Sequence, residues 1–240
     1  LRDQSGTPLP PSFDAEGLVL TGNHGVWIVS EGRRQAGHQA RLQRFSLRNG
    51  WLLETKRLPP AWTARPGQGL AVNQGPESLT RSSDGGLVLA AEAPLLQDLA
   101  QGDTDGVRLA HLDLEGVVEE RGRLPLDSVS SDPKETDPKE TVGLTELLAL
   151  DGPPALLALI RRHRPLHWTA KLQLFSWPAR PSPLALQPIT GWDFTTEEVP
   201  RENWEGLAWG PKLDDGRRTL VIVSDDNFSL IQRNLVGLLA

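Results

Sequence analysis

The sequence has no cysteine in its 240 residues. A disulfide framework, a thiol nucleophile and a thiolate metal site are therefore excluded together. It also lacks any long apolar run. The most apolar window, residues 144–160, is interrupted by Glu146, Asp151 and the pair Pro153-Pro154, so no stretch has the length of a membrane-spanning helix. Basic residues are in the minority: 25 Lys and Arg stand against 31 Asp and Glu, a formal net charge of −6. Because phosphate backbones select basic faces, that balance argues against nucleic acid as a partner. Methionine and tyrosine are absent too, with no evident physical reason. Neither an initiating Met nor a signal-peptide pattern precedes Leu1, so the chain reads as a mature or trimmed form.

Familiar catalytic signatures are missing as well. No Gly-x-Ser-x-Gly elbow occurs, which disfavours an α/β-hydrolase. No phosphate-cradling Gly-x-x-x-x-Gly-Lys-Ser/Thr loop is present, and Gly67-Gln68-Gly69 is not a dinucleotide fingerprint. His163 and His167 are four apart, but Pro165 breaks the helix that would bring both to one metal. His24, His38 and His111 are scattered and read as surface or strand residues.

What the chain does have is a segment that recurs four times. The copies open at Glu16-Gly17-Leu18, Glu77-Ser78-Leu79, Glu146-Leu147-Leu148 and Glu205-Gly206-Leu207, spaced 61, 69 and 59 residues apart. Each passes through a turn into a second apolar run: Val26 to Val29, Leu87 to Ala90, Ala155 to Ile160, and Leu220 to Val223. These runs end on Glu31, Glu92, Arg161 and Asp225, which lie 15, 15, 15 and 20 residues after the opening glutamate. Third runs at 41–47, 107–114, 170–175 and 234–239 alternate apolar and polar residues, as half-exposed strands do. Fourth strands follow in the first two copies, after the turns Asn49-Gly50 and Glu115-Gly116. Four strands per unit, running from buried to exposed, predict an all-β fold of propeller-blade repeats. The 23 Gly and 20 Pro suit many short strands, and 38% hydrophobic residues suffice for a sizeable core. The last copy has no fourth strand of its own; residues 1 to 13 are the available substitute, although they show no strand pattern. The tandem Asp-Pro-Lys-Glu-Thr at 132–136 and 137–141 and the proline-rich stretch 178–188 read as connections. Residues 95–106 have room for one short helical turn. No linker separates two domains, so residues 1–240 read as one.

If the repeats are blades, Glu16, Glu77, Glu146 and Glu205 form a ring of carboxylates near one end of a central channel. Converging carboxylates need a cation or basic partners. Ca²⁺ is one solution; the run Arg161, Arg162, His163 and Arg164 is another. Alternatively, each glutamate accepts backbone N–H bonds and locks neighbouring blades together. Ser224-Asp225-Asp226-Asn227-Phe228 is the richest oxygen-ligand cluster, and it equally fits an Asx turn. Asn73 and Asn203 stand just before two of the repeats, as ligand contacts or turn formers; Asn23 reads as a hairpin turn residue. The eight tryptophans, Trp27, Trp168, Trp204 and Trp209 among them, are expected to fill blade interfaces, with one or two left to meet sugar or aromatic ligands.

The segments Phe13-Asp14-Ala15-Glu16-Gly17-Leu18, 73–79 (NQGPESL), 203–208 (NWEGLA) and 223–228 (VSDDNF) resemble the phytase-like family, described by an esterase-like activity of phytase. The resemblance runs from about residue 11 to the C-terminus. It implies a β-propeller, an exported bacterial protein, and hydrolysis of phosphate or carboxylic esters. One departure is visible: Arg161-Arg162 stands where the family pattern has Glu-Arg, which removes an acid from the site. Two readings follow. In the first, the chain is a metal-assisted ester hydrolase, phosphate esters favoured. Glu16, Glu77, Glu205, Asp225 and Asp226 are then the metal ligands, for Ca²⁺, which screens charge and activates water. Glu77, Glu205 and Arg161 are the catalytic candidates, and Arg164, His163, Asn73 and Asn203 the substrate-binding ones, with arginines gripping phosphate oxygen. In the second, the propeller is a non-catalytic, calcium-stabilised module that binds a ligand or a protein.

Overall fold

A computed structural model describes residues 1–10, 13–22, 24–33, 38–104, 106–126, 141–150, 152–164, 167–178 and 184–240. Asn23 and residues 132–140 of the tandem lie outside them, as do residues 179–183 of the proline-rich stretch and Pro165. The described chain is all-β apart from short helical turns. It packs as two compact units: one of residues Leu1–Pro125 with Pro178–Leu186, the other of Leu126–Trp177 with Gln187–Ala240.

The first unit holds two four-stranded antiparallel sheets in which each strand pairs with the next in sequence. Sheet one runs β1 (Ala15–Thr21), β2 (Gly25–Ser30), β3 (Arg41–Ser46) and β4 (Leu52–Arg57); sheet two runs β5 (Pro76–Arg81), β6 (Leu87–Ala91), β7 (Gly106–Leu112) and β8 (Val118–Pro125). The second unit holds β9 (Thr141–Ala149), β10 (Ala155–Arg164), β11 (His167–Ser176) and β12 (Pro188–Asp193), then the three-stranded sheet β13 (Trp204–Lys212), β14 (Arg218–Ser224) and β15 (Val236–Leu239). These are meanders of propeller-blade type, and they recur at the spacing of the sequence repeats.

Burial follows the composition of each run. Every residue of β2 and β6 is buried, whereas β4 alternates and β12 is exposed throughout. In the first unit the core gathers Trp27, Val29, Leu42, Trp62, Leu79 and Leu89; in the second, Leu157, Leu159, Leu172, Phe194, Trp204 and Ile222. Each fully buried Leu or Phe in such clusters contributes roughly 1.5–3 kcal/mol. Trp27 and Trp204 thus fill core as expected, while Trp51 and Trp192 remain more than 40% exposed. The turns at Gly50 (φ 72°) and Gly116 (φ 85°) need the left-handed backbone that glycine supplies without strain.

Three expectations are corrected. Among its described residues, the N-terminal segment pairs with sheet one: Arg2 bridges Trp51 and Pro8, and its N–H donates to Gly50 O at 2.8 Å. The third sheet does have a fourth strand, β12, beginning at the last proline of the stretch read as a connection. Glu146 does not open its strand, because β9 starts five residues earlier, at Thr141. The short helix appears where it was expected, as α1 (Leu96–Ala100).

That helix anchors an ionic network in the first unit. Asp98, 1% exposed, receives Arg108 Nη2 at 2.6 Å, Arg108 Nε at 2.9 Å and Arg123 Nη2 at 2.9 Å. Arg108 reaches on to Glu120, which also accepts Trp62 Nε1 at 2.9 Å. Burial alone would raise the Asp98 carboxyl. The hydrogen bonds and charge of Arg108, then those of Arg123, overcome it and hold Asp98 below the ordinary carboxylate range. Glycine serves a different end at Gly17, where a Cβ would meet Glu77 O and Leu79 N at 2.7 Å each, so the backbones of β1 and β5 touch.

Two outcomes are expected in urea unfolding at neutral pH. Gly17→Ala loses about 1–3 kcal/mol, the cost of forcing atoms into a filled contact. Asp98→Asn loses about 3–5 kcal/mol, because Arg108 and Arg123 lose the buried carboxylate between them and keep only the more exposed Glu120 and Asp103. The Asp98 contribution is fully present above the unfolded carboxylate pKa of about 4 and fades as pH falls through the lower folded value. The gap between wild type and Asp98→Asn should therefore narrow from pH 6 to pH 3.

Candidate functional site

The repeated glutamates stand at breaks in the ladder. In β1, Glu16 and Gly17 together oppose Val29; in β5, Glu77 is the extra residue between Pro76 and Ser78; in β13, Glu205 is the extra one between Trp204 and Gly206. A bulge of this kind re-aims a side chain away from the regular pleat. In β9 the extra residue is Thr145, since Glu146 pairs with Leu159 and Leu144 with Ile160. Thr145, not Glu146, therefore occupies the position of Glu16, Glu77 and Glu205. It is buried, with its hydroxyl 3.2 Å from Leu159 O and 3.3 Å from Trp204 O. Glu146 instead accepts the N–H of Leu147 at 2.9 Å.

The charged residue that ends a second run reaches the start of the next sheet in the same unit. In the first unit, Glu31 Oε1 accepts the N–H of Gly75 at 2.6 Å. Glu31 thus provides a backbone lock between neighbouring sheets. Burial pushes the Glu31 carboxyl up, Asp14 adds to the rise, and the Gly75 N–H opposes it. Glu31 lines a cavity of about 470 Å³ with Asp14, Arg33, His38 and Asn73. Asp14 (φ 50°) and Asn73 (φ 57°) both hold the left-handed backbone that costs a side-chain-bearing residue energy. Arg33 Nε lies 3.5 Å from Asp14 Oδ2. A carboxyl raised by burial in a cavity lined by a second acid is a candidate functional group. Of this group only Asn73 was picked out from sequence as a site residue. Glu77 is half-buried and Glu16 exposed.

In the second unit Arg161 plays the part of Glu31. Its Nη1 donates to Asn203 Oδ1 at 2.6 Å and to Glu205 Oε1 at 2.5 Å, and Asn203 Nδ2 donates to the same Oε1 at 2.7 Å. Asn203 is 1% exposed, so its amide is spent on holding these two charges. The sequence singled out all three residues, Arg161 lying 42 and 44 positions before Asn203 and Glu205, and the fold joins them. It separates Arg161 from Arg164: β10 runs on to Arg164, and strand alternation turns Arg162 and Arg164 to the face opposite Arg161. His163, on the Arg161 side of that alternation, stacks on Trp168 at 5.4 Å.

The Asp225 and Asp226 cluster forms turns. Asp225 Oδ1 accepts the N–H of Asn227 at 3.3 Å, and Asp226 Oδ1 that of Phe228 at 2.9 Å. Nearby Glu202, buried and not anticipated, accepts Arg233 Nε at 2.5 Å and its backbone N–H at 3.1 Å. Of the metal candidates, Glu16 and Glu77 belong to the first unit and Glu205, Asp225 and Asp226 to the second. Among the described residues, no three His, Asp or Glu side chains gather as a metal-holding group. Glu205 is occupied by a guanidinium and an amide, and the two aspartates by backbone N–H groups, so this donor arrangement does not fit Ca²⁺. No described helix is long and apolar enough to cross a membrane.

No curated protein matches the chain. A family model does: the Phytase-like model, described as "Esterase-like activity of phytase", matches residues 1–228. With nearly its whole length matched, and with the Asp-Ala-Glu-Gly-Leu and Asn-Trp-Glu-Gly-Leu segments placed on equivalent bulges, the chain belongs to the phytase-like family.

Proposed function

We propose that this protein is an exported ester hydrolase, phosphate esters favoured over carboxylic esters. The observation that carries the reading is the Arg161–Asn203–Glu205 cluster, a carboxylate and a guanidinium fixed against each other at a ladder break, with the Glu205 side chain one-third exposed. In this reading Glu205 takes a proton from water as that water attacks the ester phosphorus. Arg161, oriented by Asn203, sets positive charge against the oxyanion that develops, and the alkoxide leaves with a proton from solvent. Both contacts to Glu205 fall on Oε1, which leaves Oε2 as the proton acceptor. A positioned general base contributes typically 10²–10⁴-fold. Glu77 occupies the same bulge position in β5 and is the second catalytic candidate. No step is routed through a metal; Ca²⁺ enters as an ion whose effect is measured.

One observation favours the second reading, a non-catalytic module that binds a ligand or protein. Arg161 to Asn203 repeats the junction that Glu31 makes to Gly75, as a purely structural tie would.

The test is turnover of p-nitrophenyl phosphate and p-nitrophenyl acetate by wild type and by the Glu205→Gln, Glu77→Gln and Glu31→Gln variants, with Ca²⁺ and with chelator. The expected outcome is that the phosphate ester turns over faster and that Glu205→Gln lowers kcat by about 100-fold or more, with Tm near wild type. Loss confined to Glu31→Gln would move the chemistry to the cavity of the first unit. A wild type inert on both esters, with a lowered Tm in Glu205→Gln, would establish the structural tie instead.

A further inference from the structure

The outer edge of the three-stranded sheet differs from the outer edges of the other three. An outermost strand leaves backbone N–H and C=O groups open to another chain, and charge, proline or a covering segment guards against that. β4 carries Glu54, Lys56 and Arg57, and Trp51, just before it, is bridged by Arg2. β8 carries Glu119, Glu120, Arg121 and Arg123, and Ala185 bridges Arg123. β12 begins at Pro188 and ends at Asp193. β15 has none of these guards. Residues 234–240 hold no charged side chain and no proline, and the ladder to β14 runs without a register shift. Among the described residues, β15 is hydrogen-bonded as a strand to β14 alone.

Backbone and side chains open outward at the same two residues. Ser224 N–H donates to Leu235 O at 3.0 Å. Alternation along the antiparallel ladder therefore turns the N–H and C=O of Val236 and Leu238 away from β14. Val236 is 79% exposed and Leu238 54%, on the face they share with Val223. Leu235 and Leu239 take the other face and pack on the core of the second unit.

We infer that β15 is a self-association edge, on which a second copy of this chain adds its own β15 antiparallel across a two-fold axis. One register uses every outward group. With Gly237 opposite the partner's Gly237, Val236 faces the partner's Leu238 and Leu238 the partner's Val236. Those two pairs form about four backbone hydrogen bonds, and two three-stranded sheets become one continuous sheet. The flanking pairs, Leu235 with the partner's Leu239 and Asn234 with the partner's Ala240, are uncharged as well. That decides the occupant. Two chains of net charge −6 repel, so they meet best along a charge-free stretch, and β15 is the outer strand that provides one. Two-fold pairing consumes both edges, so assembly closes at the dimer. A contact of this size gives a weak dimer, with a Kd in roughly the micromolar to millimolar range. The inference is independent of the hydrolase reading, because association is read from mass without turnover.

Sedimentation velocity of the full chain, from about 1 μM to about 1 mM, tests it. A monomer–dimer equilibrium is expected, and it does not weaken as salt screens the net charge. Leu238→Lys puts a charge on the edge, and Val236→Pro removes an outward N–H that β14 does not use. Each should weaken dimerisation tenfold or more, with Tm and circular dichroism near wild type. Val236→Pro also separates edge pairing from stacking of apolar faces, because it keeps an apolar side chain. Val236→Lys, at the more exposed of the two positions, serves if either variant fails to fold. A wild type monomeric at the highest concentration, assembly beyond a dimer, a dimer that salt dissociates, or a folded edge variant that dimerises like wild type would each overturn the assignment.

Discussion

A β-ladder fixes two directions for every side chain, and only an irregularity can offer a third. In this chain such an irregularity comes in the first strand of each sheet, where one extra residue breaks the pairing with the second. Around that break sit the backbone contact of Gly17 with β5, the amide of Gly75 held by Glu31, and the carboxylate of Glu205 held by Arg161. The architecture of each unit and its polar chemistry therefore share one local device. Keeping neighbouring sheets together and presenting charged groups are, here, the same arrangement viewed from two sides.

The ionic network on α1 works under a different constraint. Asp98 is too deeply buried to be left to water, so two arginines from β7 and β8 close on it, and Arg108 also engages Glu120. Burying charge is costly, and the gain lies in definition: a five-residue helix has little stability of its own, but three directional bonds to one carboxylate leave it one place to sit.

The inner strands β2 and β6 were legible because they are apolar runs between turn residues, a pattern that burial on both faces writes directly into sequence. β12 was not legible, since all six of its residues are exposed and it carries no apolar periodicity. Its place is set by pairing with β11, a long-range fact. The slip from Glu146 to Thr145 has a similar origin: a repeated glutamate is visible in sequence, but which residue a bulge expels depends on the partner strand. The same holds for the sites. Arg161, Asn203 and Glu205 could be chosen from motifs. Glu31 as a half-buried acid holding the Gly75 amide becomes visible only when segments far apart in sequence are brought together.

Strand β10 places four consecutive polar residues, Arg161 to Arg164, on two faces in strict alternation. Substitutions there can tune one face without touching the other, because neighbours in sequence are not neighbours in space. A single inserted or deleted residue has the opposite character. It would exchange the faces of every residue beyond it, carrying a guanidinium meant for Glu205 to the opposite face and a neighbouring side chain of that face towards Asn203. Over this stretch the chain is open to point change and closed to change in length.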